Sequence, residues 1–383
     1  MKTSQYKRFT SLFLSFFFLF SCMLVLFNYS IDPNRRYRFS VPENELRRLV
    51  RSPDLVLTLP DNYDDRALIT KFVRATMPPE IVVIGGSRVL NIQAEMFRSP
   101  FDQKLLNVAV MAGTIRDYIA IWQMIKQKGF KPKIVFLCIE EQSMNSYSQN
   151  DRYLSIYEYY NSFFEGGASI RRQLMGLMTN LKDLLSLQTT LGSIKLVLRP
   201  QNDTGRIEIR SNRDRMLHSK TSSFSMLYPT AYEQRTLDFV DTWGKNNGRG
   251  EVKVFEMWNR IDRRGYDRLS ALFRDIKRRG GKPVLIGMPY HPEAYQLISQ
   301  SKKAYDNMLF FVDELRRIAE EENVPFYDAI VQHHADFNNK DFMDGVHLRM
   351  SANHHLFRTV DKVYGINVVA ESFQPDSTYL TAT

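Results

Sequence analysis

Cysteine is almost missing from this sequence: Cys22 and Cys138 are the only two in 383 residues. Cys22 lies in an apolar tract and Cys138 in a strand-like run, which excludes a disulfide framework and a cysteine-based zinc site. Histidine and acid do not make up the deficit. His333, His334, His354 and His355 flank the Asp344 region and with Asp336 invite a metal reading, but neither their spacing nor any acidic cluster matches a zinc signature. No metal and no cofactor is expected. Long basic runs with interleaved aromatics are missing as well. The net charge of +10 is scattered in short clusters at Arg35, Arg36 and Arg38, at Arg47 and Arg48, and at Lys277 to Arg279. Without a recognisable nucleic-acid module, that scatter argues against nucleic acid as a partner. Gly280-Gly281-Lys282 lacks the frame of a phosphate loop. No internal repeat is present, and the one biased stretch is apolar.

That stretch is 9-FTSLFLSFFFLFSCMLVLF-27, uncharged and dominated by Phe and Leu. Nineteen helical residues span about 28 Å, close to a bilayer's hydrocarbon thickness. Lys2, Lys7 and Arg8 precede it, as in a signal-anchor whose short tail stays in the cytoplasm. A cleaved signal peptide would have a shorter apolar core and a small-residue site after it, and none follows Phe27. A lipoprotein reading at Cys22 fails because the apolar run continues past it. The arginines after the anchor outnumber the basic residues before it, so loop charge alone leaves the orientation open. We expect residues 1–28 to be tail and single-pass anchor, with the rest outside the cytoplasm.

The whole sequence is 44% apolar and 25% charged, which favours an ordered core over bulk disorder. Residues 29–77 are polar and broken by Pro33, Pro42, Pro53 and Pro60, reading as a connector that ends in a helix near 64–75. A repeated device follows: an amphipathic helix with a basic last turn, a glycine, a proline, then an apolar strand. It occurs at 115–139, again at 265–288, and more loosely at 306–327. With the apolar runs at 81–85 and 104–110 this predicts five strands, continuous rather than alternating, as in a sheet covered on both faces. The expected fold is α/β, a doubly wound, mostly parallel five-stranded sheet. Its two parts are 78–144 and 263–370, interrupted by a helical and irregular insertion at 145–262 and followed by a tail at 371–383. The aromatic run from Tyr153 to Phe164 has helical spacing and reads as core.

Ligands of open α/β sheets bind beyond the carboxyl ends of the strands. Ser87, in 81-IVVIGGSRVLN-91, occupies that edge after a strand and two glycines. Either it caps a following helix, or it is a nucleophile awaiting a base. Near the other end stands 341-DFMDGVHLRMSANHHLF-357, where Asp344 and His347 are three residues apart before a helix that Ser351 is placed to cap. In that spacing the carboxylate can hold one imidazole nitrogen while the other faces a serine. Arg88 and His291 belong to the same edge and are candidate substrate contacts, against the simpler readings of an internal ion pair and a loop histidine.

A strand–G-x-S turn early in the domain, joined to D-x-x-H near its end, resembles the SGNH (GDSL-type) hydrolase superfamily. Gly85-Gly86-Ser87-Arg88 and the anchor look most like its membrane-anchored members that O-acetylate or D-alanylate envelope polymers. The resemblance covers roughly residues 78–140 and 265–365 and implies a flavodoxin-like sheet of SGNH type. It implies Ser87 as nucleophile, His347 as base and Asp344 as its orienting partner, with the Ser87 and Gly113 amides forming an oxyanion hole. The position before the serine, usually Asp, is Gly86. The family's G-x-N-D block is replaced by 140-EEQSMN-145, so a third oxyanion donor would come from Gln142 or Asn145. The implied protein is an esterase or O-acyltransferase of the bacterial inner membrane, acting on an extracytoplasmic polysaccharide. Transfer would require a multi-span membrane O-acyltransferase as donor partner. The gap in the third block leaves the alternative of a non-catalytic polysaccharide-binding or assembly protein.

Overall fold

The computed structural model describes residues 2–33, 36–37, 41–59, 63–144, 151–165, 177–178, 180–198, 206–209, 219–228, 230–233, 235–257 and 263–373. Five parallel strands form the central sheet: β2 (Ile81–Ile84), β3 (Leu105–Asn107), β4 (Ile134–Ile139), β8 (Lys282–Gly287) and β9 (Phe326–Asp328). Their spatial order is β3-β2-β4-β8-β9. β2, β3 and β4 are buried throughout and β8 in all but Lys282, which explains why their sequences are unbroken apolar runs. The order reverses at β2, so the crevice between the carboxyl ends of β2 and β4 is a topological switch point.

The helix–glycine–strand device holds in three dimensions. Helix α3 (Ile115–Gln127) starts in a capping box of Thr114 and Asp117 and gives way to Gly129 at φ +79. Helix α6 (Arg263–Arg278) gives way to Gly280 at φ +83, another left-handed position. After α8 (Lys302–Glu321) the same task falls to Asn323 at φ 48, which is why the third instance is harder to see in sequence. Trp122 of α3, buried, donates its indole N–H to Asp275 of α6 at 2.8 Å, locking the two crossover helices together.

Between β2 and β3 the expected α-helix does not form. Residues Ser87–Val89 make a single 3₁₀ turn, and further short turns follow. The Asn107 amide explains this: it donates to the carbonyls of Val89, Leu90 and Ile92 at 2.8, 3.1 and 3.2 Å. Those carbonyls would otherwise accept the i+4 amides of a helix.

A second, four-stranded antiparallel sheet joins segments that read as separate in the sequence. β1 (Leu55–Thr58) comes from the connector; β5 (Arg206–Ile209), β6 (Ser219–Lys220) and β7 (Met226–Leu227) come from the insertion. The β6–β7 hairpin is bolted to the β2–β3 connection, where Met226 N–H donates to the Leu90 carbonyl and Asn107 N–H to that of Ser223. Helix α5 (Leu237–Glu256), also from the insertion, packs against α7 (Pro292–Gln300) and α8. The aromatic run forms a helix, Tyr157–Glu165, packed on α3 and only partly enclosed. At the amino terminus, α1 (Lys2–Ile31) contains one stretch, Gln5–Ile31, long and apolar enough to cross a membrane.

Candidate active site

Ser87 stands at the switch point, half-buried, on the 3₁₀ turn that leaves β2. Two asparagines tie this turn to the far end of the chain. Asn91 donates to the Leu348 carbonyl at 3.0 Å, and Asn353, on α9 (Met350–Val363), donates to Asn91 Oδ1 at 2.7 Å and to the Arg88 carbonyl at 3.3 Å. The D-x-x-H turn is thereby fixed beside the serine. Ser351 does not cap α9; Arg349 occupies the cap position and Ser351 lies within the first turn.

His347 Nε2 is 2.9 Å from Ser87 Oγ, and its Nδ1 lies 2.9 and 3.1 Å from the two oxygens of Asp344. A carboxylate on Nδ1 holds the proton there, leaving Nε2 to accept from the serine hydroxyl. Asp344 Oδ1 also accepts the backbone N–H groups of Val346 and His347, both at 2.8 Å. Burial alone would raise the Asp344 pKa. The hydrogen bond and charge of His347 and these two amides outweigh it and bring the carboxyl down to about 2. Gly345 is required inside this turn, because a Cβ there would lie 2.5 Å from the Trp243 carbonyl of α5. The insertion thus braces the acid–base pair directly.

The loop carrying Gly113 is held from beneath. Arg66, buried in α2 (Asp65–Ala75), binds Asp117 at 2.9 Å, Asp65 at 2.8 Å and the Met111 carbonyl at 2.9 Å. Asp65 in turn accepts Met111 N–H at 2.6 Å. Gly113 itself abuts the end of β2, where a Cβ would lie 2.9 Å from the Gly85 carbonyl. Gln142 lies half-buried in the short helical turn Glu141–Met144, and Asn145 lies outside the described residues.

Arg88 and His291 are enclosed rather than turned toward a ligand, at 2% and 0% exposure. Arg88 donates to the Pro289 carbonyl at 2.9 Å and lies 3.6 to 3.9 Å from the carboxylates of Glu140, Glu141 and Glu251. Its guanidinium stacks over Tyr290 at 4.7 Å, and the Tyr290 hydroxyl donates to Glu141. Burial pushes Glu140 and Glu251 up, Glu251 well above the usual range with help from the Glu141 charge. Glu141, although buried, is pulled down by Arg88 and by hydrogen bonds from Glu251 and Tyr290. His291 Nδ1 accepts Glu293 N–H at 3.2 Å and so caps α7, and burial lowers its pKa. The physical reason is common to both: α5 of the insertion covers the part of the sheet edge they occupy. Of the remaining histidines, His333 stacks on Tyr327, His334 stacks on Tyr295, and His354 bonds the Ala370 carbonyl.

Three neighbours of the site carry no local signature. Tyr228 follows β7 with its hydroxyl 3.5 Å from the Ser87 carbonyl and its ring centroid 6.1 Å from that of His347. Arg235 lies 3.6 Å from Asp344 Oδ2, with its guanidinium 3.7 Å from the Tyr232 ring centroid. Glu140, ending β4, places its carboxyl where a side chain on residue 86 would go, 2.2 Å from a Cβ built there. A side chain before Ser87 would have to displace that carboxyl. No protein-family model matches the chain, and no curated protein matches it in sequence.

Proposed function

We propose that the protein is a membrane-anchored serine acyl-esterase or O-acyltransferase of SGNH type, moving an acyl group, acetyl in the first instance, on or off a cell-envelope polysaccharide. The observation that carries this reading is the continuous relay from Ser87 Oγ through His347 to Asp344 at a sheet switch point. Ser87 Oγ attacks the acyl carbonyl as His347 Nε2 takes its proton, and Asp344 stabilises the imidazolium. The oxyanion is received by the Ser87 and Gly113 amides. Collapse returns the proton from His347 to the departing alcohol and leaves an acyl-serine. Water, or a sugar hydroxyl in the transfer direction, then gives its proton to His347 and takes the acyl group, and His347 returns that proton to Ser87 Oγ as it departs. The apolar α1 suits an anchor in the bacterial inner membrane with the catalytic domain outside the cytoplasm. In the transfer direction a multi-span membrane O-acyltransferase is the donor partner.

One observation favours a second reading, a polysaccharide-binding or assembly role without turnover. Glu140 and Glu141 follow β4, where an additional oxyanion donor is needed, and an ionised carboxylate accepts rather than donates. An aryl acetate assay on the full chain in detergent separates the two. Ser87→Ala is expected to lower kcat/KM by at least about 10³-fold. Equal turnover by both proteins would sink the relay, and glycan binding retained alongside it would establish the second reading.

A further inference from the structure

Asn28 follows the apolar tract of α1 directly and is completely buried. Its amide donates to the Leu184 carbonyl at 2.6 Å and to Thr190 Oγ1 at 2.9 Å, and its Oδ1 accepts from Ser193 Oγ at 2.8 Å. A few residues on, Arg36 donates to Asn180 at 3.0 Å, and the Tyr37 hydroxyl to Asp183 at 3.1 Å. These bonds hold helix α4 (Leu187–Leu198) against the end of α1. The contact is not confined to Asn28: Ser21, Cys22, Leu24 and Val25 are partly covered, while Met23 and Leu26 stay open. From Ser21 to Asn28 is about 10 Å along a helix.

The two faces of α4 differ in kind. Toward α1 it presents Thr189 and Ser193, both buried. Away from it, Leu187, Leu191, Ile194 and Leu198 are 74%, 57%, 43% and 75% exposed, at the i, i+4, i+7, i+11 spacing of a single stripe. Leu181 and Leu185, just before α4, are exposed as well. A contiguous apolar stripe of this kind is uncommon on a surface bathed in water. Here it continues the exposed apolar surface of α1. Lys182 and Lys195 stand exposed beside it, with stems long enough to reach lipid headgroups from an apolar setting.

We propose that α4 is a second membrane-contacting element, seated beside α1 with its leucine stripe among the acyl chains of the bilayer. The inference rests on α1 residing in a membrane and is independent of the esterase chemistry. Its consequence is geometric. A helix pair bonded through Asn28 would meet the membrane with two elements rather than one.

The test uses the full chain with Cys22→Ala and Cys138→Ala, reconstituted in phosphatidylethanolamine–phosphatidylglycerol vesicles doped with bromolipid. Bimane is placed on single cysteines introduced as Leu191→Cys, Ile194→Cys, Phe16→Cys in α1, and Phe310→Cys on the exposed side of α8. Bromolipid is expected to quench the labels at 191 and 194 by at least about twofold, as at 16, and to leave 310 unchanged. Quenching at 16 with none at 191 and 194 overturns the proposal while the anchor stands. No quenching at 16 overturns the anchor and the proposal together. A photo-crosslinker at 191 that captures a membrane protein rather than lipid in native membranes assigns the stripe to a protein partner and likewise overturns it.

Discussion

Asp344 carries two loads at once, and they can be separated by a one-atom change. Its Oδ1 terminates the turn by accepting two backbone amides, while Oδ2 orients the imidazole. In Asp344→Asn the carbonyl oxygen can still serve the amides, but the side-chain NH₂ cannot accept from Nδ1–H. The tautomer is then wrong for a base facing Ser87, and kcat/KM toward an aryl ester is expected to fall by about 10⁴-fold with the fold retained. Stability adds a second signature. A carboxyl near 2 in the folded chain and near 3.9 when unfolded stabilises the fold fully above the unfolded value, by on the order of 2 kcal/mol. That contribution is lost as pH falls through about 2. Denaturation of wild type and Asp344→Asn in parallel should show their difference shrinking between pH 5 and pH 2, about the width of the titration. A difference that stays constant with pH would show that the carboxylate is not held as described.

At the scale of elements, the small antiparallel sheet contains an unusual group. Lys220 of β6 is completely buried, and its amine lacks a hydrogen-bond partner among the described residues and lies 4.4 Å from the Phe224 ring centroid. Burial lowers its pKa from 10.5 to about 7, with Asp65 pulling weakly the other way. Between these values the unfolded chain holds a proton that the folded chain has lost, so this residue makes stability rise with pH across that window. Lys220→Met keeps the stem and removes the amine. It is expected to stabilise the protein at pH 7 by on the order of 2–4 kcal/mol, and to flatten the rise above it. Thermal unfolding in detergent at pH 7 and pH 9.5 measures both, and an unchanged slope would place the amine in water. This sheet also marks where sequence reading stops. The parallel strands β2, β4 and β8 were legible because each is a local, largely buried apolar run with a glycine or proline close by. The pairing of β1 with β5 and β6 depends on contacts between segments roughly 150 residues apart, and no local pattern encodes it. The missing helix after Ser87 has the same origin, since its carbonyls are claimed by Asn107 on the next strand.

For the whole molecule, the decisive contact joins the insertion to the turn that carries Ser87, through Arg88. Ser87, His347 and Asp344 were readable because each half of the relay sits in a short turn of distinctive residues. The burial of Arg88 and His291 was not, because α5, which covers them, comes from the part of the chain with the weakest periodicity. Glu251 on α5 meets Arg88 beside Glu140 and Glu141, so one guanidinium serves three carboxyl groups, two from the end of β4 and one from the insertion. They cannot all be ionised in that enclosure, and Glu251, raised furthest, is the one that keeps its proton. Two variants then behave oppositely. Arg88→Met leaves the carboxyls without their cation and is expected to cost about 3–5 kcal/mol, loosening the turn that presents Ser87. Glu251→Gln replaces a protonated acid by a neutral isostere and should be nearly silent at pH 5. As pH rises through the folded-state value, wild type loses stability because the unfolded chain has already released this proton. Glu251→Gln does not titrate there, so it should overtake wild type in alkaline solution. Denaturant midpoints at pH 5 and pH 9 test the pair of expectations. A Glu251→Gln variant as damaged as Arg88→Met at pH 5 would mean that Glu251 is an ionised partner of Arg88, and that the insertion is clamped by charge rather than by a shared proton.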